Sequence, residues 1–155
     1  MSYSEYVSPL AERVASREMI ALWSPQKKFS TWRRCWVALA EAEHELGLPV
    51  TREQVEELRA HVDDIDFEAA ARFERETRHD VMAHIHAYGL VAPNAKGVIH
   101  LGATSCFVTD NTDLILMREG LQLLLARAVT VLAKLAAFAR EWRDTPTLGV
   151  THFQP

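Results

Sequence analysis

The sequence predicts an all-α fold in which a helical N-terminal domain is followed by the first long helix of a multi-helix bundle. Apolar residues recur at helical spacing in several segments. Glycine and proline are sparse, with six of each among 155 residues, and strand-like alternation is nearly absent. We place the helical N-terminal domain at residues 1–104 and the start of the helical bundle at residues 105–155.

Composition and charge restrict the classes of function. The chain is 48% hydrophobic and 25% charged, which is ordinary for a folded globular protein. A net charge of −4 argues against a nucleic acid or an acidic membrane as partner, but a small anionic substrate can still use a local basic site. The two cysteines form no metal-ligand pattern, and the first residues lack a secretory signal, so we expect a reduced, cytoplasmic location.

The N-terminal half reads as an arm followed by short helices. Turn-forming residues and Pro9 predict an extended arm over residues 1–16 that carries Arg13. Ser24 and Pro25 are a good helix start, and Gly47 with Pro49 is a good helix end. Between them, apolar residues fall on one face that we expect to pack in the core: Phe29, Trp32, Trp36, Leu39 and Leu46.

Two further helix starts are visible. Thr51 and Gln54 have the spacing of a capping box, which predicts a short helix with Val55 and Leu58 facing inward. Asp66 is a good cap for another short helix.

The strongest periodic pattern predicts a long helix from about Ser105 to Arg143, roughly 58 Å at about 1.5 Å per residue. The stripe at three-four spacing consists of Leu114, Met117, Leu121, Leu124, Ala128, Val131, Leu135, Phe138 and Trp142. A domain of 155 residues cannot cover such a helix, so we expect it to lie in a bundle within one chain or between chains. Arg127 and Lys134 interrupt its most apolar part, and we do not expect a membrane span.

A candidate binding loop runs from Gly97 to Asp113. Gly97 and Gly102 allow positive φ angles or the close approach of a ligand. Thr104 and Ser105 follow where the long helix would begin, and the free amides of a helix N-terminus hold anions. The simpler alternative is that one of these hydroxyls only caps the helix.

A second candidate anion site is the tripeptide Arg78-His79-Asp80. A cation and an imidazole precede a helix whose first residue we predict to be Asp80, and the alternative is a surface cap. Asp80 and His84 would share a helix face, as metal ligands can, but spacing provides no third ligand and the H-E-x-x-H motif is absent. We therefore predict no metal.

Five segments, in order, resemble the adenylosuccinate lyase family, and most closely its animal-type branch. They are SPLAERVASREM (8–19), KKFSTWRRCWVALAEAEHELGLP (27–49), TRHDVMAHIHAYG (77–89), HLGATSCFVTDNTDL (100–114) and TLGVTHFQP (147–155). Members of this family, which belongs to the fumarate-releasing lyase superfamily, are much longer. We therefore expect this chain to be the N-terminal part of a larger enzyme.

The resemblance implies a C–N lyase that eliminates fumarate from adenylosuccinate, and from the analogous succinylated imidazole carboxamide ribotide, by general acid–base β-elimination. It implies that His152 is the general acid. It further implies a set of substrate-binding residues: Arg13, Arg78, His79, Asp80, Thr104, Ser105 and Thr151. Val14 stands where the family has a tyrosine that contacts the substrate phosphate, so that contact is lost or comes from Tyr3 or Tyr6.

The resemblance also implies that a catalytic loop of the family is absent from these 155 residues. In the family the proton-abstracting serine lies on a glycine- and serine-rich loop that does not occur here, so we expect the 155-residue chain alone to be inactive. The family implies a homotetramer without a cofactor. Other superfamily lyases, namely argininosuccinate lyase, fumarase and aspartase, are alternatives. A different alternative is a non-catalytic module that binds partner helices through the long apolar stripe.

Overall fold

The computed structural model describes residues 8–149 and residue 152, and within them it is helical without a strand. Its seven helices are α1 (Pro9–Arg13), α2 (Arg17–Leu22), α3 (Pro25–Glu45), α4 (Arg52–Ala60), α5 (Phe67–Thr77), α6 (Asp80–Val91) and α7 (Ser105–Trp142). The all-α prediction is confirmed. Two compact units, Met1–Glu119 and Gly120–Pro155, divide inside α7. The domain boundary between residues 104 and 105 coincides with the start of α7 and stays a prediction.

The predicted extended arm is wrong over Pro9–Arg13, which forms α1. Pro9 occupies the first turn, where its fixed φ suits a helix and its missing N–H costs little. Leucine, alanine, glutamate and arginine follow, and all four favour helix, which outweighs the turn formers around them. Arg13 is therefore the exposed last residue of a helix rather than part of an arm. Tyr3 and Tyr6 lie outside the described residues.

Helix α3 begins and ends as expected. The Ser24 hydroxyl oxygen accepts a hydrogen bond from the Lys27 amide at 3.2 Å, and Pro25 follows in the first turn. The helix ends at Glu45, and Gly47 has a φ of 78°, a left-handed conformation that favours glycine. Leu46 is 80% exposed, so it does not belong to the core face on which its spacing placed it.

The aromatic side chains of α3 form the centre of the main hydrophobic core. Trp32 is fully buried and Trp36 is 1% exposed, and Phe29 packs edge-on to Trp32 with ring centroids 5.1 Å apart. Around them pack the buried residues of α4, of α6 and of the chain after α6: Val55, Leu58, Val81, Ile85, Tyr88, Ala92, Ala95, Val98 and Ile99. The core therefore includes part of the predicted binding loop.

The caps of α4 and α5 form as predicted. The Thr51 amide donates to Gln54 Oε1 at 2.9 Å, and the Gln54 amide donates to Thr51 Oγ1 at 3.3 Å, which completes the capping box. The Asp66 carboxylate accepts from the Ala69 amide at 2.8 Å. Each cap satisfies helix N–H groups that have no partner within the helix.

Helix α7 has the predicted length, but a different face of it is buried. In the first unit, Val108, Thr112 and Leu116 are buried at a spacing of four residues. The residues of the predicted stripe, such as Leu114, Leu121 and Leu135, are 57–66% exposed. The helix holds an 18-residue window of mean hydropathy 1.7 and is long and apolar enough to cross a membrane, a test that the core helices of soluble bundles also pass.

His84 is a buried, uncharged residue of the core. Its ring stacks on Phe29 with centroids 3.7 Å apart, and it meets Trp32 edge-on at 5.5 Å. Burial, and then the positive charge of Arg33, lower the pKa of His84 from 6.5 to about 4, and the negative charge of Asp80 only partly offsets this.

We expect His84 to make the folded chain less stable in mild acid. As the pH falls, His84 becomes protonated near pH 6.5 in the unfolded state but only near pH 4 in the folded state. The stabilisation is therefore complete above pH 6.5 and is lost as the pH falls towards 4, by up to about 3 kcal/mol. A His84→Leu variant should lose less free energy of unfolding over this range. Urea unfolding followed by tryptophan fluorescence at several pH values measures it, and parallel losses in both proteins would contradict the prediction.

Candidate functional site

The corner between α5 and α6 presents Arg78, His79 and Asp80. Arg78 ends α5 with a φ of 52°, a left-handed conformation that costs a non-glycine residue on the order of 1 kcal/mol. The Thr77 hydroxyl spans the corner, 2.9 Å from the Phe73 carbonyl oxygen and 3.2 Å from that of His79. The tight turn brings the next helix start directly after Arg78.

His79 and Asp80 form the N-terminus of α6. His79 Nδ1 accepts from the Met82 amide at 3.5 Å and lies 3.5 Å from Asp80 Oδ1. The same carboxylate oxygen accepts from the Val81 amide at 2.8 Å. The His79 and Asp80 side chains are 46% and 55% exposed. Both therefore cap the helix, as the simpler alternative held, and the exposed Nε2 side of His79 can still face a ligand.

The loop between α6 and α7 is anchored to α4 on one side. Gln54 Nε2 donates to the Asn94 carbonyl oxygen at 2.9 Å, and the Ala95 amide donates to the Glu57 carboxylate at 2.8 Å. Glu57 also accepts from Asn94 Nδ2 at 3.0 Å. Burial of Val98 and Ile99 anchors the next part of the loop. His100 therefore follows a segment that is held both by hydrogen bonds to α4 and by packing in the core.

His100 is a half-buried residue of this loop that the sequence analysis did not assign to substrate binding. Its φ is 66°, and its carbonyl oxygen accepts from the Ala103 amide at 3.3 Å. Its Nδ1 lies 2.9 Å from Nε1 of Trp36, with the two rings nearly perpendicular at 84°. Burial, and then the charge of His79, lower the pKa of His100. The two imidazoles therefore interact electrostatically, although 20 residues separate them in the chain.

The predicted helix start at Thr104 and Ser105 is present. Helix α7 begins at Ser105, and the Thr104 carbonyl oxygen accepts from the Phe107 amide at 2.9 Å. Gly102 has a φ of 64°, one of the two possibilities expected for the loop glycines. Gly97 has no such angle, and an added Cβ there would meet no atom within 4 Å. Only one of the two loop glycines is thus demanded by the backbone.

Of the other predicted site residues, two lie in other parts of the chain and one lies outside the residues that the structure describes. Arg13 is exposed at the end of α1. His152 belongs to the unit Gly120–Pro155 and is exposed with a φ of 50°. Thr151 lies outside the described residues. The structure thus brings His79 and Asp80 together and couples the charge of His79 to His100, and the assigned roles of the site residues stay predictions.

The pair of Asp80 and His84 does not form a metal site. Asp80 is exposed at the start of α6, whereas His84 is buried and stacked on Phe29. Among residues 8–149 and residue 152, no three His, Cys, Asp or Glu side chains lie close enough to hold a metal ion. The chemistry that the corner and the loop offer is instead hydrogen bonding to anionic oxygens, through imidazole N–H groups and the N-terminus of α7. In α6 the Val81 and Met82 amides already donate to Asp80 and His79.

The chain is similar in sequence to adenylosuccinate lyases of several organisms, although no family model matches it. It is 52% identical over 156 residues to the enzyme of Saccharomyces cerevisiae and 51% identical over 156 residues to that of Schizosaccharomyces pombe. It is 44% identical over 153 residues to the enzyme of Schistosoma mansoni. Each match covers 99% of this chain and 32% of the relative, so the chain spans about a third of the length of these relatives.

The two loop glycines form a matched pair for a test of backbone strain. A Gly102→Ala substitution should lower the free energy of unfolding by about 1 kcal/mol, because an L-residue is strained at positive φ. Gly97→Ala should leave it unchanged or raise it by up to about 1 kcal/mol, since alanine restricts only the unfolded chain there. Urea denaturation of both variants measures the difference, and equal effects would contradict the assigned loop conformation.

Proposed function

The chain belongs to the adenylosuccinate lyase family, and on that premise we propose that the whole protein eliminates fumarate from adenylosuccinate to give AMP. We extend the proposal to the succinylated aminoimidazole carboxamide ribotide of purine biosynthesis and to a cytoplasmic location. The observation that carries it is the 52% identity over 99% of this chain. Relatives under the names argininosuccinate lyase, fumarase or aspartase would favour the alternatives; the matches given above carry the name adenylosuccinate lyase.

The proposed reaction has two demands. Breaking the C–N bond requires a proton on the exocyclic purine nitrogen, which is otherwise a poor leaving group. We assign that proton to His152, because an imidazole is an effective acid near neutral pH. Removal of the proton beside a carboxylate leaves an aci-carboxylate dianion, which needs hydrogen-bond donors and cations around it.

The geometry of the first unit suits the anionic parts of such a substrate. We assign the substrate phosphate to Arg13, Arg78 and His79. Asp80 carries a negative charge and would repel a phosphate, but its carboxylate accepts the Val81 amide and lies 3.5 Å from His79 Nδ1. Its proposed part is therefore to cap the first turn of α6 beside His79 rather than to touch the phosphate.

The succinyl carboxylates are assigned to the start of α7. Thr104 and Ser105 supply hydroxyls beside a helix N-terminus, which is partially positive. Thr151 is assigned to the same end of the substrate on the resemblance alone. The proposed base, a serine on a flexible loop, does not occur in these 155 residues, and we propose that a homotetramer brings the parts of each active site together.

The direct test is fumarate release by the whole protein. Absorbance of the succinylated purine should fall on addition of enzyme. His152→Ala should reduce kcat by about a hundredfold or more, with substrate affinity nearly unchanged, because a general acid acts mainly in the transition state. His79→Ala should also weaken binding.

Parallel assays with argininosuccinate, malate and aspartate separate the superfamily alternatives. No turnover of adenylosuccinate by pure tetrameric protein would reject the proposed function. Full turnover by His152→Ala would reject the assignment of the proton donor while leaving the substrate in place.

The exposed stripe of α7 supports the proposed assembly and also favours the second candidate, a helical interaction module. From Leu121 to Trp142 it presents large apolar side chains, most of them more than half exposed. Soluble monomers rarely leave such a patch uncovered, because apolar surface is stabilised by removal from water. We propose that helices of a bundle cover it. A helix-binding module would form the same contacts without catalysis, so activity of the whole protein distinguishes the two.

We expect the isolated 155-residue chain to be helical, catalytically inactive and self-associated. Size-exclusion chromatography with light scattering should show a mass above that of the 17.5 kDa monomer. Replacement of Leu121, Leu124 and Leu135 by glutamine should shift the chain towards the monomer, because it removes exposed apolar area without a helix breaker. An unaltered monomer over a wide concentration range would show that the stripe needs no partner.

A further inference from the structure

The hydrogen bond between Trp36 and His100 has only one possible direction. An indole nitrogen carries a hydrogen and cannot accept, so Trp36 Nε1–H donates and His100 Nδ1 accepts at 2.9 Å. The accepting nitrogen must be unprotonated. In the neutral ring the hydrogen therefore lies on Nε2, the nitrogen away from Trp36.

We propose that Trp36 is a positioning residue, whose indole N–H holds His100 in the Nε2–H tautomer and aims that N–H as a fixed donor at an anionic oxygen of the substrate. This inference rests on the proposed function. The ligand chemistry it specifies is a carboxylate or phosphate oxygen, because a neutral N–H donor binds an acceptor.

The surroundings of His100 support a fixed, neutral ring. Its backbone is held in a left-handed conformation, with φ of 66°, by a hydrogen bond from the Ala103 amide. A histidine in that conformation is uncommon and costs on the order of 1 kcal/mol, so the neighbouring contacts must compensate for it. Burial and the neighbouring His79 disfavour a second proton on the ring. The charge of His79 acts on His100, so His100 is electrostatically coupled to the residue assigned to the substrate phosphate.

A comparison within α3 shows that the core itself does not require an indole N–H. Trp32 lies one turn before Trp36 on the same face and is fully buried, yet its Nε1 has no acceptor in the described part of the chain. Both rings fill the same core cluster. The N–H of Trp36 is thus the one that bonds outside the helix, and it bonds to a loop residue.

A double-mutant cycle in the whole protein tests the inference. Trp36→Phe keeps a buried aromatic ring and removes the N–H. His100→Gln keeps an amide donor near the place of Nε2 but offers no counterpart of Nδ1, so it should not depend on Trp36. Trp32→Phe is the matched control, because it makes the same change four residues away where the N–H has no partner.

We expect Trp36→Phe to lower kcat/KM for adenylosuccinate about tenfold when residue 100 is histidine, on the scale of one lost hydrogen bond and a freed tautomer. In the His100→Gln background the same substitution should change kcat/KM less than about twofold. Trp32→Phe should leave kcat/KM unchanged in both backgrounds. Equal losses from Trp36→Phe in both backgrounds would show a purely structural role, and no loss in either would also overturn the proposal.

A second measurement keeps the inference separate from the proposed function. In whole protein labelled with ¹⁵N-histidine, the His100 ring should show an unprotonated Nδ1 and a protonated Nε2, assigned by the loss of these signals in His100→Gln. Trp36→Phe should introduce the other tautomer, and Trp32→Phe should not. If the wild-type protein lacked lyase activity but showed this pattern, the proposed function would fail while the tautomer assignment held. A protonated Nδ1 in the wild type would reject the assignment itself.

Discussion

The ring of Trp36 packs in the main core, and its indole N–H donates a hydrogen bond to His100 in the candidate binding loop. The position of His100 therefore depends on the packing of α3. The ring is 1% exposed and contacts Trp32 and Tyr88 at centroid distances of 6.1 Å. A close-packed interior leaves such a ring little freedom to move. Because the Trp36 ring is fixed, its hydrogen bond also restricts the orientation of the His100 imidazole. The loop backbone alone would not fix that orientation.

A second polar group in the core, Arg33, holds the turn between α4 and α5. Arg33 is 1% exposed, and its Nη1 donates to the carbonyl oxygens of His61 and Asp64. Its guanidinium lies over the Tyr88 ring, 4.1 Å from the centroid, and the Tyr88 hydroxyl donates to the Leu58 carbonyl oxygen. A buried cation is costly unless it is well bonded. Here Nη1 bonds to the turn between α4 and α5, while Nη2 has no hydrogen-bond partner within the described residues. Burial lowers the pKa of Arg33, although an arginine side chain stays a cation. The turn that it holds leads into α5, whose C-terminal cap is Arg78.

Much of this could be predicted where a local rule decides the structure. The caps at Ser24, Thr51 and Asp66 depend on residues three or fewer positions away, and each formed as predicted. The bond between Trp36 and His100 spans 64 positions, and nothing in the spacing of either residue pointed to the other. In the HLGATS segment the hydroxyls of Thr104 and Ser105 predict a binding site, whereas His100 receives no role from the sequence. Its place at the start of a family-like segment is the signal that points to it.

The extended arm is the wrong prediction, because the turn formers around Pro9–Arg13 favour an arm while the residues within it favour helix. The exposed stripe of α7, by contrast, agrees with the expectation that 155 residues cannot cover such a helix. The part of α7 in the first unit buries Val108, Thr112 and Leu116, although a threonine would not be chosen for a core from its type alone. The leucine stripe is the more apolar face and nevertheless remains exposed.

That exposure is physically consistent because helix formation and stripe burial are separate requirements. Alanine and leucine favour helix without a partner, so the 38-residue α7 can form from local propensity. Burial of the apolar side chains from Leu121 to Trp142 is not needed to form the helix, so it can stabilise association with partner helices. The gain is about 25 cal/mol per Å² of apolar surface removed from water. The surface that these 155 residues leave uncovered is therefore available to helices of the rest of the protein or of other subunits of the proposed tetramer. Helix α7 thus combines a locally stable structure with an apolar face that requires a partner.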